Sequence, residues 1–271
     1  MALNKIMTFS IIIIIHVNID SQTIWHVFSP GEKLGYEIDY TLGIIRIPAG
    51  EVSFTVSTRS YNHEQAYYFE SIGKNYSSID WFYKVYNQLQ SYSKTGDLKP
   101  LWFERNMNIN GSESNEIYTI DQPHNRIFSI NKKSGSPLKR DTINYSSVFY
   151  DILTAGYYLR NIDFTNFKPN DSISIRVILD NKFHPIVIKF LGKESLSLPL
   201  HNNNNNNYNC LKFSIKVIPG EVFHENEKVI AWVTDDENHV PVQFETKIIL
   251  GSVKIYLINA ENTKKPIAFI K

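Results

Sequence analysis

The stretch "DDENH", Asp235 to His239, gathers three carboxylates and an imidazole between the runs "VIAWVT" and "VPVQFE". Asp235, Asp236 and Asn238 offer the hard oxygen ligands that calcium takes. Two aspartates meeting in a cleft could also supply the acid and base of a hydrolase. The flanks point elsewhere. A calcium loop needs a glycine at its sharp bend and a closing glutamate, and this stretch has neither in place. Asp and Asn bond their own backbone and tolerate left-handed geometry, which is what a hairpin turn demands. We expect an exposed connection, with Trp232 on a core strand beside it and with little effect from replacing Asp236 by alanine. A third candidate is Arg160 in "YYLRN". A cation in the last turn of a helix favours the helix dipole. The sharper reading has its guanidinium reaching a carboxylate of the sheet in a bidentate pair. Asp235, Asp236 and Arg160 are thus the candidate binding residues. No catalytic residue is assigned, and no metal or other cofactor is expected.

Other chemical motifs fail on spacing. No two glycines stand two apart, so GxGxxG is absent, and neither Gly73-Lys74 nor Gly192-Lys193 has the upstream glycine of a phosphate loop. "GKES" around Ser195 lacks the spacing of a nucleophile elbow. His224 and Glu225 begin a zinc-helix pattern, but Lys228 stands where the second histidine would be. The single cysteine, Cys210, lies in the strand-like "NCLKFSIKVI" and reads as a small buried hydrophobe. "NKKSGSPLKR" concentrates Lys132, Lys133, Lys139 and Arg140 around turn residues and reads as a solvated hairpin end.

The elements that must position these residues are mostly strands. "KLGYEIDYTLG" alternates Leu34, Tyr36, Ile38, Tyr40 and Leu42 with more polar partners, and "GEVSFTVSTR" alternates Val52, Phe54 and Val56 with Ser53, Thr55 and Ser57. Such period-two runs are half-buried strands. Others follow at "EQAYYFESIG", "LWFERNMNI", "NEIYTID", "NRIFSINK", "SISIRVILD", "PIVIKFLGKESL", "KVIAWVTD" and "SVKIYLIN". Short turn-rich links favour antiparallel pairing over crossovers. Helical spacing occurs twice. Ile79, Phe82, Tyr83 and Tyr86 fall at i, i+3, i+4 and i+7, although their aromatic character also permits a strand. Phe149, Ile152, Leu153 and Gly156 share a face of a helix over 145–160 that Ser146 can cap. "HNNNNNNYN", residues 201–209, reads as an exposed loop. The fold class expected is all-β and mainly antiparallel, a barrel-like or sandwich sheet with one or two short helices.

The chain has 271 residues, 20% of them charged and 13% aromatic, with a formal net charge of +1. That composition is globular, and the charge balance gives no reason to expect nucleic acid as a partner. "MALNKIMTFSIIIIIHVNIDSQ" has the order of a secretory signal: basic Lys5, an apolar run from Ile6 to Ile19, then polar residues. The run is too short and too interrupted to span a bilayer, and no later stretch is long enough. We expect a signal peptide at 1–21, a single β-rich domain at 22–271 with two β layers divided near the helix, and no transmembrane span in the mature chain. Export to the periplasm or cell surface follows. One thiol allows no internal disulfide, so the core must supply the stability.

The ordered landmarks "PGEKLGYEIDY", "AGEVSF", "DILTAGYYLR", "GKES" and "VIAWVTDDENHVPVQFETKIILGSVKIYL" resemble a bacterial exported family catalogued as Domain of Unknown Function 3108. The resemblance covers nearly the whole mature chain and implies a β-rich envelope protein without an established activity. It supplies no catalytic residues. The asparagine tract departs from the family pattern. Two functions compete. One is a non-enzymatic binding or structural module whose partner is an apolar small molecule or an envelope protein; the other is a hydrolase using carboxylates in a cleft. An open apolar cavity favours the first, and convergent buried acids the second.

Overall fold

The computed structural model describes residues 26–42, 45–81, 84–199, 205–216, 228–247 and 251–268. The segment expected to be a signal peptide and the His224-Glu225 pair lie outside these residues. Period-two patterning becomes strands: β1 Lys33–Leu42, β2 Ile45–Tyr61, β3 Glu64–Asn75, β4 Val85–Lys94, β5 Pro100–Ile109, β6 Ser112–Asp121, β7 Arg126–Lys133 and β8 Lys139–Asn144. Helix α1 spans Ile152–Arg160. It is followed by β9 Ser172–Leu179, β10 Lys182–Pro199, β11 Asn205–Lys216, β12 Lys228–Thr234, β13 Pro241–Lys247 and β14 Ser252–Glu261.

Among the described residues, all strands join one antiparallel sheet of 14 in the order β8-β7-β6-β5-β4-β3-β2-β1-β14-β13-β12-β11-β10-β9. Nearly every strand pairs with its chain neighbour, as short turns dictate. The fold is all-β and barrel-like. Its free edges, β8 and β9, fall in mid-chain on either side of α1. One core gathers Val56 and Phe69 from the first half, Ile175, Phe190 and Phe213 from the second, and Tyr157 from the helix. The sheet therefore curls around α1.

The gap between the edges is bridged by polar chemistry. The backbone N–H of Asn181, in the β9–β10 turn, donates to the Tyr118 hydroxyl at 2.8 Å. Its side-chain oxygen accepts from Ser129 Oγ at 2.5 Å and Asn131 Nδ2 at 2.9 Å. Arg105 pairs with Asp180 of the same turn. Asp180 and Asn181 both have positive φ, 49° and 59°, the geometry that these short polar residues tolerate.

Two helical expectations are corrected. The helix expected at 145–160 begins only at Ile152, because residues before it are used for pairing. Tyr150 N–H donates to Arg176 O at 2.9 Å, and Tyr150 O accepts from Ile178 N–H at 3.0 Å, a parallel bridge to β9. The cap is Asp151 and not Ser146. Asp151 Oδ1 accepts from the N–H groups of Leu153 (2.8 Å) and Thr154 (3.0 Å), while Thr154 Oγ1 accepts from Asp151 N–H at 3.0 Å. This reciprocal box satisfies the donors that a helix start leaves free. The other helical spacing, from Ile79 to Tyr86, yields a 3-10 turn at Ser77–Ile79 and then β4. Phe82 and Tyr83 lie outside the described residues. Tyr86 is in register with Lys74 on one side and Asn108 on the other, so sheet pairing overrides the coincidental spacing.

The asparagine tract is also reassigned in part. Asn205 to Asn209 begin β11, opposite Pro199 to Ser195 of β10. Cys210 is buried on this strand, and burial pushes its thiol up to about 12. The thiol is inert, a packing group as its strand context implied.

Candidate ligand-binding cavity

Helix α1 places an open space beside the core. A cavity of about 480 Å³ lies between the helix and strands of both halves of the sheet. The volume falls within the roughly 300–1,000 Å³ usual for small-molecule sites. Ile152, Gly156 and Leu159 of the helix face it, at i, i+4 and i+7. Phe54, Ile175, Val177, Ile186, Val229 and Phe244 are among the sheet residues opposite. Among the described residues of its lining, Arg160 and Lys216 are the charged ones.

Gly156 is the informative helix residue. A Cβ added there would meet nothing within 4 Å, so no close packing requires a glycine. Glycine in a helix interior costs about 1 kcal/mol relative to alanine. Here its consequence is space.

The cavity has direction. Ile152, at one end of the helix, is 43% exposed, whereas Arg160 at the other is 5% exposed. Lys216, Ile215 and Val229 stand at the ends of β11 and β12 near the open side. Pro241, opposite Val233, and the buried Tyr36 mark the closed side. Among the described lining residues on this side, Lys216 is the charged one and the rest are apolar.

The closed end is where the polar groups concentrate. Arg160 Nη1 and Nη2 donate to Glu32 Oε1 at 2.6 Å and Oε2 at 2.9 Å, a fork-on-fork pair with both residues buried. Nε and Nη2 also donate to the Asn238 carbonyl at 3.3 and 3.1 Å. The Tyr36 hydroxyl donates to Pro241 O at 2.9 Å. Tyr157 stacks on Phe69 with centroids 4.2 Å apart and meets Phe28 edge-on at 5.0 Å. Its buried hydroxyl has no hydrogen-bond partner among the described residues.

The three residues singled out from the sequence therefore have distinct placements. Arg160 does reach a carboxylate in a bidentate pair. The partner, Glu32, immediately precedes β1 rather than lying within the sheet. Asp235 is exposed and pairs with Lys193 at 2.7 Å. Asp236 sits inside the turn: Oδ1 accepts from Thr234 Oγ1 (2.7 Å), Asn238 N–H (2.9 Å) and His239 N–H (3.3 Å). Neither aspartate lines the cavity. The turn between β12 and β13 is not wholly an exposed connection, because Asn238 is buried. Its side chain donates to Lys265 O at 3.0 Å and accepts from Lys265 N–H at 2.9 Å. Asp236 thus shapes a turn that docks on the helix end and on the C-terminal segment. Among the described residues, no group of three or more His, Cys, Asp or Glu could hold a metal ion. The cavity itself escaped the sequence reading, apart from the shared helical face of Ile152 and Gly156.

The sheet, the helix and the apolar space beside it define an all-β, barrel-like protein with a cavity that opens to solvent. Residues 35–258 match the family described as "Protein of unknown function (DUF3108)", and the chain belongs to that family. No curated protein matches the chain. Among solved structures, it is similar to a "Beta-barrel-like Protein of Domain of Unknown Function DUF1849" from Brucella abortus. The two share 8% identity with a TM-score of 0.52, over 87% of this chain and 99% of that one. A hypothetical protein from Chlamydia trachomatis matches 90% of this chain and 94% of its own, at 8% identity and a TM-score of 0.30. The first of these likenesses supports the fold.

Proposed function

We propose that this protein is an exported, non-enzymatic envelope module that holds an apolar ligand in the cavity beside α1. The observation that carries the reading is the cavity itself: apolar along both walls, open at Ile152, and left wide by a glycine with no packing reason to be there. The competing hydrolase reading asked for carboxylates converging in a cleft. Asp235 and Asp236 are spent on an ion pair and on turn geometry instead.

Filling the cavity from Gly156 tests the proposal. The Gly156→Leu variant should fold normally, since space is open and leucine is the better helix former. It should bind N-phenyl-1-naphthylamine at least tenfold more weakly than the parent, measured by fluorescence titration. Equal binding by both proteins would remove the cavity from consideration. Export is tested separately. Intact mass of protein recovered from the periplasm or cell surface should show loss of residues 1–21, and a mature mass retaining Met1 to Ile19 would contradict it.

A further inference from the structure

We infer that the rim of the cavity mouth is a membrane-docking surface whose partner is a bilayer containing anionic lipids. Strand register carries that rim across six strands. Ile215 and Val229, which line the cavity, are partners across β11 and β12. The same row runs on through Thr246 of β13, Val253 of β14 and Tyr40 of β1 to Ile47 of β2. Residues in register share a face of a sheet, so Ile47 stands on the cavity side. Ile45, two places nearer the start of the strand, shares that face. Ile47 is 38% exposed and Ile45 is 56% exposed, so neither is spent on the core. Trp81, beyond the end of the neighbouring β3, is 85% exposed.

One residue nearer the rim, the side chains turn to the other face and become basic. Lys216 is directly opposite Lys228. Lys247 follows Thr246, the partner of Val229, and so flanks Lys228 from the other side. Nearby, Arg46 is paired with Asp39, and Lys254 with Glu245. Among the described residues, Lys216, Lys228 and Lys247 join no ion pair. Like charges directly opposite one another destabilise a sheet, so folding gives no reason for this trio. An anionic lipid surface does, because each lysine near it adds attraction. Isoleucines beside a row of ammonium groups suit a bilayer. The apolar side chains enter the acyl boundary, while the flexible lysine stems keep the charges at head-group level. A soluble anion would leave the isoleucines unexplained, and an uncharged apolar partner would leave the lysines so. Docking of this kind does not require a ligand in the cavity.

Co-sedimentation of the purified protein with vesicles tests this. Phosphatidylcholine alone is compared with equal parts phosphatidylcholine and phosphatidylglycerol. The anionic vesicles should be bound at least about tenfold more tightly, and added salt should weaken the preference. Replacing Lys216, Lys228 and Lys247 together by glutamine should abolish it. Ile45→Ser with Ile47→Ser should weaken binding to both vesicle types. All five side chains are exposed, so both variants should melt with the parent. Equal binding to the two compositions, no binding to either, or a glutamine variant that keeps the preference would overturn the inference. The competing occupant is a second copy of this chain. A dimer in sedimentation velocity that the serine variant dissolves, without vesicle binding by the parent, would assign the rim to self-association instead. N-phenyl-1-naphthylamine should bind the glutamine variant as it binds the parent, so a failure of membrane docking is distinct from a failure of the cavity.

Discussion

Replacing Glu32 by alanine is expected to destabilise the protein by about 3–5 kcal/mol, because it strands the Arg160 guanidinium in a buried site. In a domain of this size that corresponds to a fall in melting temperature of about 10 °C. The pair is the joint of three segments. Glu32 enters β1, Arg160 ends α1, and the Asn238 carbonyl belongs to the turn between β12 and β13. His239 adds a contact from its Nδ1 to the Arg160 carbonyl at 2.7 Å. Arg160→Lys should also lower the melting temperature, since an ammonium cannot reproduce the two-pronged geometry. The combined change Glu32→Leu with Arg160→Met should recover much of the loss, because removing both charges leaves none unpaired. Thermal unfolding followed by circular dichroism checks all three. A Glu32→Ala protein melting within 2 °C or so of the parent would show that the joint contributes nothing net.

Trp232→Ala should cost a similar amount, about 3–5 kcal/mol, by opening a cavity among large side chains. Trp232 is buried with Tyr208, Cys210 and Val242, and its indole N–H donates to Glu194. Lys212 lies 5.0 Å from the ring centroid, so the indole also accepts a cation on one face. The preceding residue in the chain, Ala231, is buried on the opposite face, as expected of a strand flanked on both sides by β11 and β13. Urea denaturation should show the midpoint moving down with the slope preserved. A midpoint unchanged from the parent would mean that the indole is not part of the cooperative core.

Strand content was legible where one face is apolar and the other polar, as in Val52, Phe54 and Val56 of β2. It was illegible where that contrast vanishes. In β8, Lys139–Asn144, five of six residues are exposed and only Ile143 is partly buried, so an edge strand looks like a polar loop. The start of α1 depended on Tyr150 finding β9, a contact made only in three dimensions. Arg160 was readable as an anchor because a basic residue at a helix end has few uses. Its partner was not, since Glu32 is remote in the chain. The cavity was hidden for the same reason. Its walls come from helix and sheet segments that only the curled sheet brings together, and Gly156 looks in sequence like any small residue on an apolar face.

The sheet order has a temporal meaning. From β1 to β8 and from β9 to β14, each strand lies beside the one made just before it, so two ribbons can zip up locally. A single long-range seam, β1 against β14, pairs Ile38 with Ile255 and sews the ribbons into one sheet. Closing it means bringing together segments separated by most of the chain, the slowest kind of contact to form. Until β14 has been made, β1 shows a bare edge to its surroundings. The fold is therefore a fastening whose clasp is delivered last, and an interrupted chain would hold two ribbons rather than a smaller version of the whole.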